Sequence, residues 1–154
     1  MSTQPKMQSL DQRRAAHAHE WLSKFVREHM KPDTKGKNQP DSDAKKYGVH
    51  VRRLPMRIMA SGLGQAMAFL LAKNYCPELL LAVSDWVLYA RRNESRDSKV
   101  KAEPRELLLE LIKKDSEYAQ LATAEVLAYL RWLTRFAEAE KMAGDGTVDD
   151  AEGS

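Results

Sequence analysis

Apolar residues along the chain recur at helical spacing, and no segment shows the strict alternation of a half-buried strand. Trp21, Leu22, Phe25 and Val26 fall at i, i+1, i+4 and i+5, one stripe of a helix. That helix is predicted to start at Ser9, a good N-cap, with Asp11 and Gln12 in its first turn, and to end before Pro32. Residues 31–43, KPDTKGKNQPDSD, hold no aliphatic or aromatic residue and two Pro, so they read as a loop. Such length in a compact domain points either to binding or to a tolerated surface insertion.

A second helix is predicted over 44–60, with Tyr47, Val51, Leu54 and Ile58 as its stripe. Pro55 lies inside it, lacks a donor and clashes with the preceding turn, which predicts a kink or a short break. Gly62 ends this segment, and a third helix follows over 63–74 with Ala66, Phe69 and Leu70 inward. Pro77 suits the first turn of a fourth helix reaching Arg92, with Leu80, Val83, Trp86 and Val87 on its apolar side. After a polar connection at 93–103, Pro104 opens a fifth helix carrying Leu107, Leu108, Leu111 and Ile112. Asp115 and Ser116 read as a stop and restart, and a sixth helix runs to Met142. The predicted fold is all-α, a compact bundle of about six helices over residues 9–142. Residues 1–8 and the acidic, Gly-containing tail 143–154 are expected to be disordered.

The chain's 154 residues are one domain's worth of protein, long enough for a real core. Charged residues make up 31% against a usual quarter, so the exterior is heavily charged. The longer apolar runs are short, as at Leu79–Val83, and Asp85 soon interrupts that one; no membrane span is expected. The first residues lack the apolar segment of a signal peptide. A lone Cys76 excludes an internal disulfide framework and suits a reducing cytoplasm. Charge is uneven: residues 1–60 carry a net +7 and residues 61–154 a net −4. Such asymmetry points to a polyanionic partner on one side, or to unevenly solvated faces.

The search for catalytic chemistry returns negatives. Around Ser61, Met59 and Leu63 occupy the positions where a nucleophile elbow needs Gly. Gly62 and Gly64 supply two glycines of a dinucleotide fingerprint with no strand before them, and a break between packed helices explains both. His17 and His19 point in different directions on one helix, and His17 with Glu20 gives two ligands where zinc needs more. The histidines, including His29 and His50, are therefore expected at the surface. Cys76 precedes a helix, which can lower a thiol pKa, but a buried small residue is the simpler reading. No metal site, cofactor or catalytic residue is expected.

What survives is basic. Lys45, Lys46, Arg52, Arg53 and Arg57 share one helix with no acid between Ala44 and Ala60. Arg53 and Arg57 are i, i+4; Arg13 and Arg14 add charge from the first helix, and Arg131 and Arg135 form another i, i+4 pair on the last. Guanidinium forks suit phosphate oxygens. These nine residues are the candidate phosphate-binding set of a nucleic-acid surface, and no base-reading motif accompanies them, so contact with backbone and shape is expected. A helix-turn-helix reading around Gly62 fails because the helix after it has only Lys73 as a basic residue. A small helical hydrolase or RNA-processing nuclease is the competing class.

Several segments resemble a known family. YGVHVRRLPMRIMASGLGQAMAFLLAK (47–73) carries Tyr-Gly, basic residues, Leu-Pro, then Gly-Leu-x-Gln-Ala-x-x-Phe-Leu. ATAEVLAYLRWLTRFAEAE (122–140) ends in Trp-Leu, a basic residue, then Phe-Ala-Glu-Ala, and QRRAAHA (12–18) opens the first helix. In this order they resemble the small subunit of the type III-B CRISPR–Cas effector, the Cmr complex. The resemblance implies a helical bundle without catalytic activity. It implies copies stacked head to tail as an inner filament, beside backbone subunits that hold the guide RNA and cleave RNA. It places the small subunits along the groove where target RNA pairs with guide RNA. The acidic tail and the long 31–43 loop depart from the pattern.

Overall fold

The structure, a computed structural model, describes residues 7–92 and 102–142. The disorder expected at residues 1–6 and 143–154, and the connection at 93–101, lie outside the described residues.

Among the described residues six α-helices form: α1 (Leu10–His29), α2 (Ser42–Ser61), α3 (Leu63–Lys73), α4 (Pro77–Leu88), α5 (Pro104–Lys113) and α6 (Ser116–Ala139). The starts follow local chemistry. Ser9 and Gln12 make a reciprocal capping box on α1, with the Gln12 N–H donating to Ser9 Oγ at 3.1 Å. Asp115 caps α6 by accepting the Tyr118 N–H at 3.0 Å. Pro77 and Pro104 sit in first turns, where a missing N–H costs nothing.

The 31–43 segment is not a plain loop. Two three-residue strands, β1 (Met30–Pro32) and β2 (Asn38–Pro40), pair antiparallel with Met30 opposite Pro40 and Lys31 opposite Gln39. The ribbon rests on its turn: Asp33 Oδ1 accepts the N–H groups of Lys35 and Lys37, and Gly36 takes a positive φ of 78° that favours glycine. Strands this short carry no readable alternation, which is why the pattern missed them.

Pro55 does not break α2, which runs unbroken from Ser42 to Ser61. The missing Pro55 N–H would have bonded the Val51 carbonyl one turn back. Thr134 Oγ1 from α6 donates to that carbonyl instead, at 3.4 Å. The helix also begins earlier than predicted, because Asp41 caps it by accepting the Ala44 N–H at 2.8 Å. Gly62 adopts φ 88° and lets the chain turn directly into α3.

α4 stops at Leu88, short of the predicted Arg92, and a 3-10 turn, Ala90–Arg92, follows. α6 also ends early, because Lys141 takes φ 54° and the Met142 N–H bonds the Ala137 carbonyl at 3.2 Å. That turn folds Met142 back into the core.

α6 is the central element. It lies parallel to α1, where Arg14 meets Glu125 and His17 meets Tyr129. It lies antiparallel to α2, where Val51 meets Thr134 and Met59 shares a groove with Leu127. Between them Leu22, Leu54 and Trp86 are buried, as the stripes predicted, and Leu133 of α6 is buried with them. Phe69, Trp132 and Phe136 are only half-buried against that core. Each fully buried Leu contributes about 1.5–3 kcal/mol of transfer free energy.

Candidate nucleic-acid interface

The nine predicted basic residues do not form one surface. Arg52, Arg131 and Arg135 converge. They line a groove of about 450 Å³ between α2 and α6, with Pro55, Met59, Leu127, Leu130, Thr134 and Glu138. The three side chains sit on exposed positions. Thr134 lines this groove and hydrogen-bonds the buried Val51 carbonyl, which ties its two walls together. Glu138 reaches Arg135 at 3.5 Å, a one-turn ion pair between exposed groups. An acid thus enters the basic groove from α6, which a reading of α2 alone could not show.

Arg53 and Arg57 lie further round α2. The Arg57 guanidinium stands 4.5 Å above the Phe69 ring of α3, a cation–π contact. Lys45 and Lys46 are exposed in the first turns of α2, where Asp43 also lies.

Arg13 and Arg14 act as fasteners. Arg13 Nη2 donates to the carbonyls of Ala90 at 2.6 Å and Arg91 at 3.3 Å, tying α1 to the turn after α4. Arg14 grips Glu125 with two parallel hydrogen bonds, 3.0 Å from Nε and 2.7 Å from Nη2, and adds Asp11 at 3.2 Å. Its fork is filled by protein carboxylates. Burial alone would raise the Glu125 carboxyl, but hydrogen bonds from Arg14 and from Trp86 Nε1 outweigh it and hold it below the ordinary carboxylate value.

Beside this pair lies a polar cluster that the sequence reading missed. His17, expected at the surface, is almost enclosed. Its Nδ1 lies 2.6 Å from the Tyr129 hydroxyl and its Nε2 2.8 Å from Asp85 Oδ2. Trp21 stacks on its ring at 5.5 Å. His50 is also buried, stacked on Tyr75 at 4.8 Å, and His29 bonds Asp41 at 2.9 Å; only His19 is exposed as expected. One signal was available: Asp85 interrupts the apolar run of α4 and needs a buried partner. Both His17 ring nitrogens are occupied, and none of His17, Asp85 and Tyr129 lines the grooves beside α6. The cluster joins α1, α4 and α6 and offers no open nucleophile.

Cys76 is buried, as the simpler reading held. Burial pushes its thiol up to about 12, opposite to the lowering that a helix start can cause. Among the described residues no group of three or more His, Cys, Asp or Glu is placed to hold a metal ion, and no helix is long and apolar enough to cross a membrane.

A larger apolar groove of about 770 Å³ opens between α3, α5 and α6, lined by Gly62, Gly64, Leu108, Ile112, Ala124 and Leu127 among others. Leu127 is common to this groove and the basic one. Ile112 is 71% exposed, so this side of the bundle presents a bare aliphatic side chain to solvent.

Comparison with curated proteins returns no match. A crystal structure of a CRISPR-associated Cmr5 family protein from Thermus thermophilus shares this fold. It has a TM-score of 0.65 and 21% sequence identity, over 86% of this chain and 97% of that one. The model of the CRISPR-associated protein family Cas_Cmr5 matches residues 10–140, nearly the whole helical bundle. The chain therefore belongs to the Cmr5 family, the small subunits of the type III-B CRISPR effector.

Proposed function

We propose that the protein is a non-catalytic lining subunit of the type III-B effector, which holds the phosphate backbone of target or guide RNA in the groove between α2 and α6. One observation carries this reading: Arg52 of α2 and the Arg131–Arg135 pair of α6, far from it in sequence, come together on one exposed groove. Lys45 and Lys46 extend the positive surface toward the start of α2. Arg53 and Arg57 flank it, and Arg13 and Arg14 serve the fold. Contact with phosphates tolerates any target sequence, which a guide-directed complex needs. Copies of the chain stack beside the backbone subunits in the cytoplasm. The exposed apolar side chains around Ile112 support protein contacts on the α3–α5–α6 side.

Alone, such a surface binds RNA weakly, with a Kd of roughly 10⁻⁴–10⁻⁶ M at physiological salt. Many copies acting together raise the effective affinity. The test is a salt titration of RNA binding by the wild type and by Arg131→Gln/Arg135→Gln. The variant is expected to weaken binding alike for unrelated sequences and to flatten the salt dependence by about one slope unit per lost phosphate contact. An unchanged slope, with the variant excluded from the assembled complex, would move these arginines to a subunit interface.

A further inference from the structure

On its other side α6 forms a different groove. About 620 Å³ lies between α1 and α6, lined by His19, Leu22, Val26, Arg27, Phe136 and Glu140, with Ser23 and Ala139. Its wall is aromatic. His19 meets the Phe136 ring edge-on at 5.5 Å, and Phe136 stacks on Trp132 at 5.7 Å with 30° between the planes. Trp132 Nε1 donates to Asp11 at 3.1 Å, which fixes the indole. His19 is exposed and the other two rings are half-buried, so part of each remains open to solvent.

The cations stand next to these rings in sequence. Arg131 precedes Trp132 and Arg135 precedes Phe136, and successive residues of a helix point about 100° apart. α6 therefore carries two parallel rows one turn long, arginines toward α2 and aromatic rings toward α1. Arg27, exposed at the end of α1, supplies a cation on the far wall. Positive charge beside a stack of half-open rings is the combination that holds single-stranded nucleic acid: the charges follow the backbone, and each base offers a π-face to a ring. Glu140 on the same groove disfavours phosphate there and leaves the aromatic wall to an uncharged base.

We propose that α6 is a two-row site for single-stranded RNA. Phosphates lie on Arg131 and Arg135, and an unpaired base stacks against Phe136 and His19 in the α1–α6 groove. The inference rests on the RNA reading above and deepens it from backbone contact to base stacking. It implies a preference for unpaired over paired RNA, because a duplex keeps its bases inside.

The test uses the full chain and three probes: an unstructured mixed-sequence RNA, the same backbone with abasic riboses, and an RNA duplex. The intact strand is expected to bind roughly 5- to 100-fold more tightly than the abasic one. Phe136→Leu, and His19→Ala at an exposed position that the fold does not need, should weaken the intact strand and leave the abasic one unchanged. Arg131→Gln/Arg135→Gln should weaken both. Equal binding of intact and abasic strands overturns the inference and leaves the phosphate reading standing. So does normal RNA binding by the aromatic variants combined with failure to join the complex. If the arginine variant alters neither strand's binding, the RNA reading itself falls and takes the inference with it.

Discussion

Pro55 sits in the middle of α2 and the helix does not break, so the Val51 carbonyl must find a donor elsewhere. Thr134 Oγ1 supplies it at 3.4 Å, and Thr134 also forms part of the basic groove. Replacing Thr134 by Val keeps the branched shape and removes the hydroxyl. The long distance places the hydrogen bond toward the weak end, so Thr134→Val should cost about 1 kcal/mol. Pro55→Ala restores a backbone N–H that can reach Val51, and it removes an interior proline whose cost relative to alanine is about 3 kcal/mol in an unsupported helix. In that background the hydroxyl is redundant, and Thr134→Val should cost close to nothing. The two changes should therefore couple by about 1 kcal/mol, well above the additivity scatter of about 0.3–0.5 kcal/mol. The assay is urea unfolding of wild type, both single variants and the double variant, followed by far-ultraviolet circular dichroism. Equal cost of Thr134→Val with and without Pro55 would refute the substitution of one donor for another.

Arg14→Gln should destabilise the fold by about 3 kcal/mol, because it leaves the Glu125 carboxylate buried beside Trp86 without its cation; thermal unfolding at neutral pH reads this directly. The folded value of Glu125 lies below its unfolded one, so its contribution is present above the ordinary carboxylate value and fades as pH falls through the folded value. Glu125→Gln should accordingly be less stable than wild type at pH 7, with the gap narrowing in acid, and a gap constant down to pH 2 would contradict this. Cys76, buried with its thiol raised to about 12, should resist alkylation at pH 8 in the native protein and react once unfolded; rapid native labelling would show it exposed. Labelled RNA incubated with the pure protein and a divalent metal should remain intact. Cleavage that tracks the protein and vanishes in one carboxylate or histidine variant would favour a nuclease.

Where chemistry is local, the sequence was readable. Ser9, Asp115, Pro77 and Pro104 mark helix starts through groups within one turn, and each acts there as its residue type implies. Stripe positions such as Leu22, Leu54 and Leu80 are buried because helical periodicity depends on nothing but spacing. What stayed hidden depends on partners distant in the chain. The continuity of α2 through Pro55 relies on Thr134, and the burial of His17 relies on Asp85 and Tyr129. Of the nine candidate arginines and lysines, spacing paired Arg131 with Arg135 but could not bring Arg52 across from α2. Nor could it show that Glu125 fills the fork of Arg14. The ribbon at residues 30–40 escaped because two strands of three residues rest on the turn at Asp33 and Gly36.

The most direct measurement is a density map of the assembled effector with guide and target RNA bound. The account predicts RNA phosphates within hydrogen-bonding distance of the Arg52, Arg131 and Arg135 guanidinium groups in every copy of this subunit. A groove between α2 and α6 filled by a neighbouring protein chain, with RNA running elsewhere, would contradict it.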